Sequence, residues 1–478
     1  MKNIILLITD TFRYDNLGRR AQRPVRTPSL DRFAAERATS IEKCWINSFP
    51  TIPHRTDVAT GVVGWPRYGW QPIDQSEPNH IAALLGKAGY ATQLICDCPH
   101  LFRQRFHHAF DGAYQIRGQE GDKALLCLNT PIQTVVPIEK TRHKPQFRGH
   151  PLVDTHRWIN RYWQCEAEAF PPRTAETAVR WLEENYKSGP FFLWVDWFDP
   201  HEPWDAPEYM VRHYDPKYQG IPMLHPNYGP ASDFTAAELK NLWAHYAAEA
   251  ELVDRWVGRV LQKIDDLDLW DDSIVMVTTD HGMSLGEHNR TGKSNIHPTD
   301  GRYWPVYPEI SHVILLMAGG GIPHGKSLDI VVQPVDFLPT LCELAGAKVD
   351  PRKPFDGMSF AAALRGRKKS HRAYATCGSN VKPKEGVVPA KCITPFVVRG
   401  QWGYAPVGAK GAPELYDLSK DPLAAKNVIA GNKKEVKELH ELFLEDLRKH
   451  NAPEDVLALW GKGPGDGKAK GSWAVDYA

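Results

Sequence analysis

Five short and nearly continuous apolar runs constrain the fold of this 478-residue chain more than any other feature of its sequence. Runs of this kind are typical of strands that are covered on both faces, as in a mostly parallel sheet. They lie at residues 3–9, 92–96, 191–197, 273–280 and 312–318. A chain built on them must bury a sheet between two other layers.

Amphipathic stretches with helical spacing occupy the intervals, at residues 174–187, 235–267 and 335–346. The first opens on a Thr-Glu pattern that favours a helix cap at Thr174, and the second is long enough for one helix or a kinked pair. The alternation of buried strands with helices predicts an α/β fold in which helices sandwich a mostly parallel central sheet.

Changes in composition and periodicity along the sequence divide the chain into three predicted parts. Residues 1–365 form the predicted α/β domain that carries the candidate site. Within it, residues 97–173 lack clear periodicity and predict long loops over one edge of the sheet. Residues 366–460 predict a small α+β subdomain with an antiparallel sheet and a helix, and the Gly/Lys-rich residues 461–478 predict a flexible tail.

Charge and composition exclude some classes of partner. The formal net charge is +1, which does not favour a nucleic-acid-binding surface. No apolar run approaches the ~20 residues that a membrane span needs. The first run is too short for a convincing signal peptide, although the possibility that a leader was removed earlier stays open. The eight cysteines are scattered along the chain. We therefore expect a cytoplasmic protein with reduced thiols. Oligomeric state is not predicted.

Two of the predicted strands end in carboxylates. The first run is followed by Asp10, and the fourth ends at Asp280, with His281 directly after it. Ligand sites of open α/β sheets lie at the carboxyl ends of strands. Either aspartate alone is more often a helix cap, but together with the imidazole they form a plausible site for Ca²⁺, Mg²⁺, Mn²⁺ or Zn²⁺.

The segment SFPTIPHRTDVATG, residues 48–61, places Thr51 and Arg55 at what reads as the start of a helix. A helix N-terminus carries free N–H groups and partial positive charge, which attract anions. A hydroxyl bound to a metal there would have a lowered pKa and become a nucleophile. Taken alone, the segment equally suits an ordinary cap at Thr51 and a surface arginine at Arg55.

Several ordered motifs resemble those of the sulfatase family of the alkaline-phosphatase superfamily over nearly the whole chain. They are NIILLITDTFRYDNLG, TIPHRTDVATG, FFLWVDWFDPHEPWDAPEYM, DDSIVMVTTDHGMSLGEHNRTGKSN, GGGIPHGKSLDIVVQPVDFLPTLCELAG and ELYDLSKDP. The resemblance implies the same α/β fold, hydrolysis of an anionic ester and one divalent metal ion. The implied substrate is a small molecule or a glycan.

The resemblance also implies site residues. The metal ligands would be Asp10, Thr51, Asp280 and His281, with Thr51 as the nucleophile. Arg55 and Lys293 would stabilise the anion, because negative charge grows on the non-bridging oxygens. His201 would contact or protonate the leaving oxygen.

Three positions depart from the family pattern. Thr51 replaces the Cys or Ser that is oxidised to formylglycine, and a threonine cannot give that aldehyde because its β-carbon bears a methyl group. Thr11 replaces the second residue of an Asp-Asp pair, and Asp97 and His100 stand near the place of a Lys-x-His motif. A threonine ester must be cleared by water, as in related phosphodiesterases.

These departures favour a phosphodiester, phosphonate or phosphate monoester as the substrate. The first alternative is a sulfuric ester hydrolase that acts without formylglycine, and the second is a non-catalytic protein that binds an anionic ligand. Two further hypotheses concern other residues. Arg117 lies in a charged segment that is either a substrate-binding loop or a solvated turn. A second metal ion could be bound by His201, Asp199 and His100.

Overall fold

The computed structural model describes the whole chain except residues 21–22, 75, 121, 123, 125, 142–144, 295, 353–354, 380–381, 384–392, 461–472 and 475–478. Its centre is a nine-stranded sheet. The strands are β1 (Asn3–Thr9), β2 (Ala38–Trp45), β3 (Ala91–Cys96), β4 (Gly112–Gln115), β5 (Phe191–Trp197), β6 (Ser273–Thr279), β7 (His312–Val313), β8 (Leu315–Gly319) and β9 (Lys326–Val332).

The order of the strands is β7-β2-β8-β6-β1-β5-β3-β4, with β9 paired to β2. The five strands from β6 to β4 are all parallel, whereas β8 runs antiparallel to both β6 and β2. The predicted α/β fold with a mostly parallel central sheet is therefore confirmed.

Helices cover both faces of this sheet, and others pack elsewhere in the chain. The described helices are α1 (Pro28–Glu36), α2 (Thr51–Thr60), α3 (Ile81–Lys87), α4 (Pro99–Arg103), α5 (Leu152–Ile159), α6 (Phe170–Asn185), α7 (Glu208–Tyr214), α8 (Ala236–Asp266), α9 (Pro308–Ser311), α10 (Phe337–Ala345), α11 (Ala361–Leu364), α12 (Lys433–Lys449) and α13 (Glu454–Trp460). One core joins the sheet to α2, α3 and α10, and the other joins it to α1, α6 and α8.

Strand β1 shows why the apolar runs are continuous. Ile4, Leu6 and Ile8 enter the core on the α2 side, and Ile5 and Leu7 enter the core on the α8 side. Side chains alternate across a strand, so a strand with a helix layer on each face needs apolar residues at every position.

Three predictions of local structure need correction. The run at 312–318 is two strands, β7 and β8, and runs antiparallel to its neighbours. The region 97–173 is not only loops, because it contains β4, α4 and α5. Helix α6 begins at Phe170, and the Thr174 hydroxyl donates to Asp97 Oδ2 at 2.7 Å instead of capping a helix. Prolines in the first turn, which the helix tolerates there, hid its start.

Helix α8 is a single helix of 31 residues. Thr235 caps it: its hydroxyl accepts from the Glu238 N–H at 3.3 Å, and the Glu238 carboxylate accepts from the Thr235 N–H at 2.8 Å. The chain therefore forms one continuous helix over Ala236–Asp266 and not a kinked pair.

The last part of the chain forms a four-stranded antiparallel sheet of β10 (Ala375–Cys377), β11 (Phe396–Arg399), β12 (Trp402–Ala405) and β13 (Glu414–Asp417). Helices α12 and α13 pack on it, and their core also takes in Val63, Trp65 and Val335 from the main part. Most of the predicted tail, residues 461–478, lies outside the described residues. Among the described helices, none combines the length and the apolar character that crossing a membrane requires.

Short ladders complete the described strands. Three of them, at Gly229–Pro230, Ser284–Leu285 and Arg290–Gly292, form one small sheet that ends next to Lys293. The others are Pro145–Phe147 with His150–Pro151, Trp304–Pro305 with Ile393–Thr394, and Lys382–Pro383 with Trp473–Ala474.

Candidate active site

Two acidic side chains meet at the carboxyl edge of the sheet. Strands β1 and β6 are parallel neighbours, with Thr9 opposite Thr279, so the residues that follow them, Asp10 and Asp280, lie side by side. Both are fully buried. The backbone N–H of Thr11 donates to Asp280 Oδ1 at 3.0 Å. The parallel register therefore brings together two carboxylates that are 270 positions apart in the sequence.

His281 adds a nitrogen ligand to this pair. Its Nε2 lies 3.5 Å from Asp280 Oδ2 and 3.9 Å from Asp10 Oδ1, and it is buried without a hydrogen-bond partner among the described residues. Its Nδ1 lies 3.0 Å from the Gly282 carbonyl oxygen and donates to it. Burial, helped by the nearby Lys293 charge, lowers the pKa of His281 to about 3, so the imidazole is neutral and Nε2 keeps its lone pair.

Arg55 reaches the same point from helix α2. Its Nη1 lies 3.2 Å from Asp10 Oδ2 and 2.5 Å from Asp280 Oδ2. Its Nε and Nη2 donate to the carboxylate of Asp196, at 2.9 and 2.8 Å. We call Asp10, Arg55, Asp280 and His281 the strand-end cluster. One guanidinium thus faces three buried carboxylates.

Thr51 is the first residue of α2 and is buried. Arg55 Nη1 also donates to the Thr51 carbonyl oxygen at 3.3 Å, so a single nitrogen connects this helix end to Asp10 and Asp280. The residue before it is Pro50, and no side chain caps the helix. The first N–H groups of α2 therefore keep the positive character that favours anions at helix N-termini.

The donor set fits a divalent cation. Asp10, Asp280 and His281 each offer a ligand atom, and the three atoms lie within 4.8 Å of one another. Burial and the Asp10 carboxylate raise the pKa of Asp280 well above its ordinary value. Burial opposes ionisation of Asp10, but the charges of Arg55 and Lys293 hold its pKa well below its usual range. Two carboxylates and one orphaned imidazole nitrogen are a ligand set that oxygen- and nitrogen-binding metals prefer.

A second group of polar side chains borders the cluster. Lys293 Nζ donates to Thr11 Oγ1 at 3.1 Å, and that hydroxyl donates to Asp10 Oδ1 at 2.6 Å. The ring of His201 stacks on Phe198 with centroids 4.0 Å apart. His201 Nδ1 donates to the Glu202 carbonyl oxygen at 2.6 Å. Lys293 is thus linked to the cluster through Thr11, whereas Phe198 and the Glu202 carbonyl fix the ring of His201.

The comparisons with known proteins decide the family. A family model described as Sulfatase matches residues 2–347 of the chain. The chain belongs to the sulfatase family. Like the family, it is an ester hydrolase.

Relatives and solved structures agree with this assignment. The chain is 24% identical over 476 residues to the Arylsulfatase of Clostridium perfringens (strain 13 / Type A), with 93% of this chain and 94% of the relative covered. It is 24% identical over 458 residues to Arylsulfatase K of Mus musculus, with 89% of this chain and 76% of the relative covered. Its fold is similar to that of the Phosphonate Monoester Hydrolase of Agrobacterium radiobacter, with a TM-score of 0.71 at 20% identity, covering 94% of this chain and 96% of that one.

Other predicted residues of this sulfatase-family chain have different surroundings. The side chain of Arg117 is 53% exposed and pairs with Asp122 at 2.6 Å, and its role in substrate binding stays a prediction. His100 lies 2.9 Å from Glu120, and Asp199 accepts from Gln119 at 2.6 Å. Within the described part of the chain, the group of Asp10, Asp280 and His281 is the one set of three ligands found.

Sequence reasoning missed three polar residues around the site. Asp196 stands alone inside the apolar run of β5, and a lone acid in a buried strand could have pointed to a buried cation partner. Glu202 directly follows His201, and its carboxylate accepts from the Tyr228 hydroxyl. Nothing in the sequence around Tyr228 indicates that contact, because it joins two separate loops.

Proposed function

We propose that this chain is a metal-dependent hydrolase of phosphodiesters or phosphonate monoesters, with the Thr51 hydroxyl as the nucleophile. The observation that carries the proposal is the contact of one Arg55 nitrogen with the Thr51 carbonyl, Asp10 and Asp280. This contact joins the start of α2 to a buried set of metal ligands. A divalent cation, when held by Asp10, Asp280 and His281, would supply positive charge that attracts the ester and lowers the pKa of a nearby hydroxyl.

The proposed reaction uses the chain's own groups in two displacements. In the first, Thr51 Oγ forms a bond to phosphorus and the ester P–O bond breaks. The proton that the Thr51 hydroxyl releases passes to His201 Nε2 and from there to the departing oxygen, because Nδ1 already donates to the Glu202 carbonyl oxygen. In the second, water attacks the phosphothreonine and gives a proton to His201 Nε2, the Thr51–phosphorus bond breaks, and that proton returns to Thr51 Oγ. Lys293 and the N-terminus of α2 stabilise negative charge on the non-bridging oxygens.

Two arguments support a phosphorus ester over a sulfate ester. Threonine cannot form the aldehyde that releases sulfate by elimination, so its ester must be cleared by water. A solved structure with a similar fold is that of a phosphonate monoester hydrolase. Sulfate esters are the second candidate, because both named curated relatives are arylsulfatases.

Parallel assays on three aryl esters test the proposal. The protein is loaded with Mg²⁺, Ca²⁺, Mn²⁺ or Zn²⁺ in turn and given bis(4-nitrophenyl) phosphate, 4-nitrophenyl phosphate and 4-nitrophenyl sulfate. We expect the phosphodiester to be hydrolysed. Thr51→Val keeps the shape of the side chain but removes the hydroxyl, and it should lower kcat/KM by roughly four orders of magnitude or more.

Thr51→Ser is the matched control, since it keeps a hydroxyl at the helix N-terminus. It should retain measurable turnover, and intact-mass measurement of a rapidly quenched reaction should show one phosphoryl group added to wild type but none to Thr51→Val. Full activity in Thr51→Val would rule out the nucleophile. Turnover of the sulfate ester alone would rule out the phosphorus-ester assignment in favour of the second candidate.

A further inference from the structure

Glu202 is a buried carboxylate that lies beside the candidate site. It is completely shielded from solvent. Its Oε1 accepts the Tyr228 hydroxyl, and its Oε2 lies 3.6 Å from Lys293 Nζ and 3.6 Å from His201 Nδ1. No described donor comes within hydrogen-bonding distance of Oε2. One oxygen is therefore held by a tyrosine, and the other faces the two groups expected to meet the ester.

This carboxylate carries a negative charge. Burial raises its pKa, but His201 and Lys293, together with the Tyr228 hydrogen bond, outweigh burial and lower the pKa of Glu202 to about 2. A negative charge that is shielded from water acts strongly on its neighbours, because little solvent screens it.

The positive charge available to an ester is correspondingly limited. Lys293 lies between Glu202 at 3.6 Å and Asp10 Oδ1 at 3.9 Å. Arg55 is already engaged by Asp10, Asp196 and Asp280. An ester placed against Lys293 thus approaches the Glu202 carboxylate as well.

We infer that Glu202 selects the charge of the substrate: it favours esters with one negative charge and disfavours phosphate monoesters, which carry two. The inference rests on the proposed function, whose site it describes in more detail. A phosphodiester, a phosphonate monoester and a sulfate ester each carry one charge at neutral pH. A second charge on the ester would face Glu202, and the cationic side chains described beside it, Lys293 and Arg55, already face acids. Glu202 is thus a specificity-determining residue, which acts through its contact with Lys293 and through the electrostatic repulsion of its negative charge on the ester.

A pair of ligands with nearly the same shape isolates the effect of charge. At about pH 8, phenyl phosphate carries two negative charges and phenyl sulfate carries one. Their dissociation constants are measured by calorimetry on the metal-loaded protein, for wild type and for Glu202→Gln. We expect the substitution to strengthen binding of phenyl phosphate relative to phenyl sulfate by about tenfold or more, because it removes one buried charge near the ligand.

Tyr228→Phe is the matched control. It removes the hydrogen bond to Glu202 but keeps the carboxylate, so the ratio of the two dissociation constants should stay within about twofold of wild type, since the charge is retained. Thermal unfolding of each variant verifies that it is folded. In the same proteins, the kcat/KM ratio of 4-nitrophenyl phosphate to bis(4-nitrophenyl) phosphate should rise for Glu202→Gln and not for Tyr228→Phe.

The outcomes separate this inference from the proposed function. An unchanged binding ratio in a folded Glu202→Gln protein would overturn the inference even if the phosphodiester is hydrolysed. A protein that hydrolyses none of the esters but shows the expected change in binding ratio would contradict the proposed function and support the inference. Failure of wild type and Glu202→Gln to bind either anion would overturn it.

Discussion

Two clusters of acidic side chains in this molecule use histidine in opposite ways. In the strand-end cluster, His281 donates one nitrogen to a carbonyl, and the other lies unpartnered beside two carboxylates. In the seam cluster (Asp356, Asp446, His450), which joins the end of α12 to the main part, both nitrogens of the histidine face acids. Nδ1 lies 3.3 Å from Asp356 and Nε2 lies 3.3 Å from Asp446.

The difference appears in the charge of each imidazole. Burial and the Lys293 charge lower the pKa of His281 to about 3. Burial also opposes the charge of His450, but its contacts with Asp356 and Asp446 outweigh it and raise the pKa to about 9. At neutral pH the first ring is neutral and keeps a free lone pair, and the second is a cation that lies between two acids. Similar residues thus form a candidate metal site in one place and a structural ion pair in the other.

The largest expected effect comes from replacing the histidine of the strand-end cluster. His281→Asn should lower kcat/KM by at least about a hundredfold, because groups that only support metal ligands already cost 10–100-fold when removed. The rise in melting temperature that wild type shows on adding a divalent ion, since the ion binds only the folded state, should disappear. The metal-free variant should melt near metal-free wild type, as the imidazole carries no charge to lose.

His450→Gln is the control for this experiment. It should keep the stabilisation by the metal and keep kcat/KM, because it lies in the other cluster. Activity of His281→Asn within tenfold of wild type, or loss of the metal effect in His450→Gln, would contradict the separation of the two roles.

The stability of the protein should next depend on pH through His450. Its folded pKa, about 9, is above its ordinary value of 6.5, so its contribution is complete below about pH 6.5 and is lost as the pH rises through about 9. A shift of this size corresponds to roughly 3 kcal/mol. Urea unfolding between pH 6 and pH 10 should show the difference between wild type and His450→Gln shrinking by about that amount. A difference that is constant or grows with pH would show that His450 is not charged in the folded protein.

The sequence predicted the central strands β1, β5 and β6 of the sheet better than strands β2 and β9. Strand β1 is apolar throughout because both of its faces meet helices, and β5 and β6 follow the same rule. Strand β2 has a half-exposed stretch at Glu42 and Lys43, and β9 is partly exposed along most of its length. Neither forms an apolar run, so their pairing could not be predicted from hydrophobic pattern.

The residues of the candidate site also differ in whether the sequence could predict them. Asp10, Asp280 and His281 could be proposed because they follow strands directly, and parallel strands end at the same edge. The ion pair of Arg55 with Asp196 could not be predicted, because it depends on how α2 packs against the sheet. The contact of Tyr228 with Glu202 also depends on the packing of two loops, for which sequence carries no periodic signal. Local rules therefore predict ligands at strand ends but not the residues that surround them.

The smallest expected effect comes from removing one hydrogen bond at the border of the seam cluster. Tyr374 donates to Asp446 Oδ1 at 2.8 Å, and Thr376 donates to the other oxygen. Tyr374→Phe leaves Asp446 with Thr376 and His450, so the free energy of unfolding should fall by only about 1 kcal/mol, the usual net worth of one hydrogen bond. The exposed Tyr114, changed to Phe in the same way, should have no effect in urea unfolding. Neither change should alter kcat/KM, since neither tyrosine contacts the strand-end cluster. A loss of activity in Tyr374→Phe at unchanged stability would mean that the two clusters are coupled, and the contrast between a ligand histidine and a structural histidine would no longer separate function from folding.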